Sequence, residues 1–449
     1  DTGGKPAAAR RVAGGPVMSV DWKAMRSRGL RGTFNVPGDK SISHRAIMLS
    51  ALAEGESRID GFLEGEDTRA TAKIFSQLGV RIETPDERTR IVHGVGLHGL
   101  KASSGALDCG NAGTGMRLLT GLLSAQAFDS VLIGDASLSK RPMARVIGLL
   151  ESMGARISAR DGDFAPLHIH GGQALHGVTI DTRVASAQVK SALIFAALYA
   201  EGETIISEPR PTRDYTESML KSLGWPIDFE PGRVTVHGGG RLQAGNLRIP
   251  GDISSAAFLI AAALLIPESD ITLNNIGINP RRTGIIQAFK MMGADIRLQN
   301  ERLESGEPVA DIRVRHSALH GIELPESLVP DMIDECPVFF IVAALAKGQT
   351  RAFGLAELRV KESDRIAGMA HGLHAMGVQL EEFPDGMLIT GGALRGCDVD
   401  SFGDHRIAMS FAVAGQCAEG VTVVRDCANV ATSFPGFTDL VRSAGMNLE

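Results

Sequence analysis

The amino-acid sequence predicts an α/β protein of two lobes, each made of three similar units that run helix, strand, second helix, strand. Three observations carry this reading: a phrase that recurs six times, an apolar helix at a near-constant distance before each phrase, and a ProGlyAsp segment that occurs twice. The phrases are LeuGlyValArgIle (78–82), MetGlyAlaArgIle (153–157), LeuGlyTrpProIle (223–227), MetGlyAlaAspIle (292–296), MetGlyValGlnLeu (376–380) and AlaGlyMetAsnLeu (444–448). Their glycines, Gly79, Gly154, Gly224, Gly293, Gly377 and Gly445, recur at similar intervals along the whole chain. Each phrase reads as a helix C-terminus closed by glycine, followed by a strand.

The apolar helices are expected over Ser41–Ala53, Asn111–Ala127, Ser186–Ala200, Ser254–Ile266, Glu335–Lys347 and His405–Ala418. Each starts a little over half a unit ahead of its glycine, Ser41 before Gly79 as Ser186 before Gly224 and His405 before Gly445. Helices apolar on most sides belong inside a core. Short β-branched runs such as GluThrIleIle (203–206) and AspIleThrLeu (270–273) read as the intervening strands. ValProGlyAspLys (36–40) is echoed by IleProGlyAspIle (249–253), at the corresponding point of the second half. We therefore expect one lobe over 37–249 and a second over 250–449 joined by 29–36, with a flexible tail over 1–28. The two ProGly segments would be crossings lying side by side, a natural hinge. The alternative is a stacked solenoid, whose repeats usually run about 20–50 residues; the longer unit here, containing its own two layers, fits that poorly.

Composition narrows the function. Aromatic residues are only 5%, which disfavours a stacking platform for single-stranded nucleic acid, and a net charge of -6 gives no general attraction to polyanions. No nucleic-acid partner is expected. The longest apolar runs are about a dozen residues, short of the roughly 20 that span a bilayer, so no membrane partner is expected either. Five cysteines, scattered and without a CxxC pair, fit a reducing cytoplasm better than a disulfide framework or zinc knuckle. Any bound anion must be held by local clusters of cations.

Those clusters gather near the starts of elements. GlyAspLysSerIleSerHisArg (38–45) offers Ser41 as a helix cap, Lys40 at the mouth and Arg45 one turn in. GlyAsnAlaGlyThrGlyMetArg (110–117) offers glycines for close approach of a ligand, and Arg117. SerAlaGlnValLys (186–190) supplies a hydroxyl, an amide and Lys190. Arg141 precedes a proline turn, Arg213 stands in ThrArgAsp, Lys361 and Arg365 are four apart beside Glu362, and Arg406 opens the sixth apolar helix. A charge leading into an apolar helix is costly unless it faces a wet cavity. If the lobes face each other, these cations line one cleft suited to small, multiply charged anions, with Asp334 and Glu362 as candidates for proton transfer. A solvated, salt-bridged helix is the plain alternative for 360–365.

At these segments the sequence resembles the 5-enolpyruvylshikimate-3-phosphate synthases of the enolpyruvyl transferase family. The motifs are AspLysSerIleSerHisArg (39–45), GlyAsnAlaGlyThrGlyMetArg (110–117), LysArgProMet (140–143), SerAlaGlnValLysSer (186–191), ThrArgAsp (212–214), ArgValLysGluSerAspArg (359–365) and AspHisArgIleAlaMetSerPhe (404–411). SerIleSerHisArg and AlaThrSerPheProGlyPhe (431–437) are more similar to the bacterial class II enzymes. The resemblance implies an inside-out α/β barrel in each of two lobes, built of βαβαββ-type units. It implies a monomer that joins phosphoenolpyruvate to shikimate 3-phosphate with no metal or organic cofactor. By the same resemblance Lys40, Ser41, Arg45, Ser186, Ala187, Gln188, Arg213, Asp334 and Lys361 would hold shikimate 3-phosphate. Lys40, Gly113, Arg141, Gln188, Arg365 and Arg406 would hold phosphoenolpyruvate. Asp334, Glu362 and Lys40 would be catalytic, Asp334 taking the 5-hydroxyl proton and Glu362 protonating the methylene carbon.

Two departures stand out. Class I members carry a Lys in the closing segment where this chain has Ser433. The inhibitor glyphosate occupies the phosphoenolpyruvate subsite, and some class II members are protected by a methyl group where this chain has Gly113. The sister transferase that acts on a UDP-amino sugar reads Lys-Asn at the Lys40-Ser41 position. A non-catalytic anion-binding scaffold would not need both Asp334 and Glu362. RNA 3′-end cyclases share a related unit, but their nucleotide-handling His motif is not evident.

Overall fold

The computed structural model describes residues 20–449; the segment Asp1–Val17 lies outside them. Twelve α-helices follow one another among the described residues: α1 (Lys40–Leu52), α2 (Glu66–Gln77), α3 (Gly113–Leu123), α4 (Ala144–Ser152), α5 (Ala187–Ala197), α6 (Tyr215–Ser222), α7 (Ile253–Leu265), α8 (Gly284–Met291), α9 (Cys336–Leu345), α10 (Arg365–Ala375), α11 (His405–Gly415) and α12 (Phe437–Ala444). The odd-numbered helices are the six apolar ones, each shorter than expected at its C-terminal end. They lie deep in the protein: every residue of α7 from Ile253 to Leu264 is buried, as is every residue of α9 from Cys336 to Ala344. Each fully buried Leu, Ile or Phe there contributes roughly 1.5–3 kcal/mol relative to exposure.

The even-numbered helices end on the six repeated glycines. Gly79, Gly154, Gly224, Gly293, Gly377 and Gly445 have φ of 91, 102, 83, 100, 88 and 108°, the left-handed region where a side chain is disfavoured. The strand of each phrase follows directly.

The strands of the described residues form six sheets, five of four strands and one of three. Typically a short strand runs parallel to a longer one, which pairs with an antiparallel hairpin, as where Leu107–Asp108 joins Ser130–Ile133, Phe164–His170 and Arg156–Arg160. Asn246–Arg248 returns to lie parallel to Arg58–Asp60, and Arg31–Phe34 lies parallel to Asp270–Leu273. The tail expected over 1–28 ends early: Trp22–Met25 is a strand between Thr422–Arg425 and Asn447–Leu448. It occupies the central place that Thr89–Val95 fills between Glu54–Asp60 and Arg81–Asp86. Trp22 stacks on Phe437 with ring centroids 5.3 Å apart. Burial of that ring and pairing on both edges order the segment.

Buried apolar residues fall into two clusters. One runs from Ile42 to Ile249; the other combines Trp22–Val36 with Ile253–Leu448. The ProGlyAsp segments lie between them and bind each other reciprocally. Asp39 N–H donates to Pro250 O and Asp252 N–H to Pro37 O, each at 2.9 Å. Gly38 is required there, since a Cβ would come within 1.9 Å of Gly61 O.

Candidate active site

The N-termini of the inner helices carry the polar groups, and aspartates cap several of them. Asp39 caps α1 by accepting from Ile42 N–H at 2.9 Å, Asp252 caps α7, and Asp404 caps α11 through Arg406 N–H at 2.9 Å. The expectation that Ser41 caps the first helix is therefore corrected. The helix starts sooner, at Lys40, and the side chain of Asp39 satisfies the free N–H. The Ser41 hydroxyl is left facing Arg213, whose Nη1 lies 3.5 Å away. Ser186 does cap α5, accepting from Val189 N–H at 3.4 Å.

Around α3 the first half of the chain builds a cationic wall. Arg141 Nη2 donates to Asn111 Oδ1 at 2.6 Å, while Arg117 Nη1 donates to Gln188 Oε1 at 3.0 Å. Gln188 in turn donates to Thr114 Oγ1 at 2.8 Å, which fixes its amide orientation. Gly113 sits between the guanidiniums: a Cβ there would lie 2.8 Å from Arg141 Nη1 and 3.1 Å from Arg117 Nη1. Lys40, at the start of α1, is held by Asp67 at 3.0 Å.

The second half supplies both carboxylates. Asp334 lies just before α9, with Arg213 Nη2 at 2.5 Å, Lys361 Nζ at 3.2 Å, and Arg365 and Arg282 each 3.7 Å away. Arg406 donates to the Asp334 backbone carbonyl at 3.0 Å. Burial opposes ionisation of Asp334, but Lys361, Arg213, Arg406 and Arg282 outweigh it and hold the carboxyl well below its usual range. Glu362 is bonded by Arg365 Nη2 at 2.5 Å and approached by Arg141 Nη1 at 3.5 Å. Burial again opposes its charge, and Arg365, Arg141 and Lys40 again prevail. Both acids are ionised at neutral pH.

A cavity of about 560 Å³ opens beside Glu362, with Asn111, Ser137 and Arg141 on one side and Lys361, Glu362 and His405 on the other; Asp334, Arg213 and Lys40 lie outside its lining. The ion pairs Arg213–Asp334 and Arg141–Glu362 join the two halves, and Arg145–Glu357 at 3.0 Å ties them again further out. The arrangement can hold two multiply charged anions beside two carboxylates that differ in their cation partners.

Two predicted cations behave differently from the rest. The Lys190 ammonium is taken by Glu208 at 3.0 Å and Glu217 at 2.9 Å. Arg45 is 2% exposed and donates to Thr216, to Ser191 and to the Ser41 carbonyl. Three participants escaped the sequence reading: Asp67, which holds Lys40, and Arg282 with Glu335, which stand behind Asp334. Arg282 follows Arg213 at the same interval by which Gly293 follows Gly224, so the repeat itself was the signal that could have found it.

Comparison with known proteins follows the same lines. The family model described as EPSP synthase (3-phosphoshikimate 1-carboxyvinyltransferase) matches residues 25–441. The chain belongs to the EPSP synthase family. It is 60% identical over 428 residues to the 3-phosphoshikimate 1-carboxyvinyltransferase of Xanthomonas euvesicatoria pv. vesicatoria (strain 85-10), covering 95% of this chain and 97% of that one. A relative of the same description from Xanthomonas campestris pv. campestris (strain B100) is 60% identical over 427 residues, covering 95% of this chain and 98% of that one. The solved structure of EPSP synthase from Acinetobacter baumannii matches with a TM-score of 0.87 at 49% identity, over 96% of this chain and 99% of that one. All seven EPSP synthase motifs meet in one contact network: Ser41–Arg213–Asp334, Asn111–Arg141–Glu362, Arg117–Gln188 and Arg365–Asp404.

Proposed function

We propose that this enzyme transfers the enolpyruvyl group of phosphoenolpyruvate to the 5-hydroxyl of shikimate 3-phosphate. It releases phosphate and forms 5-enolpyruvylshikimate 3-phosphate on the shikimate route to chorismate and aromatic amino acids. The observation that carries the reading is the placement of Asp334 and Glu362, each ringed by cations, where both halves of the chain meet. The two cores act as lobes of an inside-out barrel of six units, with the paired ProGlyAsp crossings as hinge. All of these groups come from one chain, which supports a monomer. Five free cysteines support a reducing cytoplasm.

Shikimate 3-phosphate lies against Ser41, Arg45, Ser186, Ala187, Gln188, Arg213 and Lys361, its 5-hydroxyl toward Asp334. Phosphoenolpyruvate lies against Lys40, Gly113, Arg141, Gln188, Arg365 and Arg406. Both substrates are polyanions, so they compete with the carboxylates for these cations. That exchange sets the acid–base roles. Asp334, ionised, accepts the 5-hydroxyl proton. Glu362 must be protonated to deliver a proton to the methylene carbon; phosphoenolpyruvate supplies this condition by drawing Arg141, Arg365 and Lys40 to itself, which raises the Glu362 pKa. The hydroxyl oxygen then bonds to the cationic C2, giving a tetrahedral adduct. Glu362, left as a carboxylate, takes back a methyl proton as phosphate leaves, and the enolpyruvyl ether remains. The cations stabilise the charges that move.

The test is acceptor choice. Phosphate release from phosphoenolpyruvate is expected with shikimate 3-phosphate and not with a UDP-amino sugar; release with the sugar alone would overturn the assignment.

A further inference from the structure

Lys190 is buried, charged and unused by the chemistry above. Its side chain is 5% exposed, and its two partners are more deeply buried still, Glu208 at 1% and Glu217 at 2%. Two carboxylates around one ammonium make a costly arrangement in a core unless it fixes something. Glu217 Oε2 has no hydrogen-bond partner. Burial raises the Glu217 pKa despite Lys190.

What the triad fixes is the loop that carries Arg213. Glu208 follows the strand Glu203–Ser207 and accepts from Thr212 Oγ1 at 2.5 Å and from Thr212 N–H at 3.3 Å. Glu217 lies in the first turn of α6, whose first residue is Tyr215. Lys190, one turn into α5, therefore pins both ends of the segment 208–217. Ser191, the next residue on α5, contacts Thr216 at 2.8 Å, and Arg45 bridges the pair. Arg213 projects from this clamp toward Ser41 and Asp334.

We infer that Lys190 is a positioning residue for the shikimate 3-phosphate half of the site, holding Glu208 and Glu217 so that Arg213 is fixed at the substrate before it binds. The inference rests on the proposed placement of shikimate 3-phosphate against Arg213. Preorganisation of this kind acts on one substrate and not the other.

A double-mutant cycle tests it. Lys190→Met is expected to raise KM for shikimate 3-phosphate on the order of tenfold while moving KM for phosphoenolpyruvate by less than about twofold. In an Arg213→Ala background Lys190→Met should add less than about twofold, because the group it positions is gone. Should Lys190→Met fail to fold, Lys190→Met/Glu217→Gln removes one charge of each sign and carries the same readout. Equal rises in both KM values, or effects that multiply in the Arg213→Ala background, overturn the inference alone. An Arg213→Ala enzyme with an unchanged KM for shikimate 3-phosphate overturns the placement of the substrate, and the inference with it.

Discussion

Arg213 and Asp334 hold each other at 2.5 Å although 121 positions separate them, and they come from halves built on different hydrophobic cores. The base proposed for the 5-hydroxyl thus already bridges the halves, and it is kept ionised by cations from both. Asp334→Asn preserves shape and removes the base. It is expected to lower kcat about 10²–10⁴-fold, the span of general acid–base catalysis, with shikimate 3-phosphate still bound. Phosphate release and calorimetric binding measure the two; a kcat within about twofold of the native value contradicts the role.

Glu362 is ionised without ligand, and the proposed mechanism makes it the proton donor once phosphoenolpyruvate is bound. An acid lost by titration lowers kcat as pH rises past its pKa in the complex. The native kcat profile should therefore show a limb falling toward high pH, and Glu362→Gln should lack it while turning over about 10²–10⁴-fold more slowly. Persistence of that limb in Glu362→Gln assigns the proton to another group.

Gly113 has no room for a methyl group beside Arg141 and Arg117 unless a guanidinium moves. Gly113→Ala should raise KM for phosphoenolpyruvate several-fold and the glyphosate concentration for half-inhibition by more, since a displaced Arg141 weakens anion binding and the methyl adds a clash. Equal inhibition of the two forms refutes the steric argument.

Near the paired crossings lies a buried acid that titrates near neutrality. Glu307 is 3% exposed, bonded by Asn279 at 3.1 Å on one oxygen and unpartnered on the other. Burial first, then the Asp214 and Asp39 carboxylates, push it up to about 8, against the Asn279 bond and Arg45. A raised acid favours the folded state while protonated, and that stability is lost as pH climbs from its unfolded value toward about 8. His44 and His405, at about 3, do not titrate between pH 7 and 9. Over that window the native melting temperature should fall by about 1–2 °C more than that of Glu307→Gln, most of it below about pH 8. Identical slopes contradict a protonated Glu307.

Much of this was legible in the sequence, because the repeat places similar residues at similar points. The inner helices announced themselves by Ala-rich apolar runs, and Arg406 by a charge leading into one. Other features depended on partners that only folding supplies. Lys190 reads like any cation near a helix start, yet Glu208 and Glu217, from the following strand end and helix, claim it. The cap on α1 went to Asp39 over Ser41 because the helix begins sooner. Trp22–Met25 is too short to signal a strand; its order comes from neighbours near the other end of the chain. Arg282 stands two residues before α8 as Arg213 stands two before α6, so only the register of the repeat marks it.

The central claim is that cations and carboxylates from both halves close on two small acids in one cavity. A crystal structure with shikimate 3-phosphate bound tests it most directly. The account predicts the phosphate against Ser186 and Arg213, and the 5-hydroxyl within about 2.6–3.2 Å of an Asp334 oxygen. A bound substrate whose 5-hydroxyl is out of reach of Asp334, or which touches residues of one half only, would contradict it.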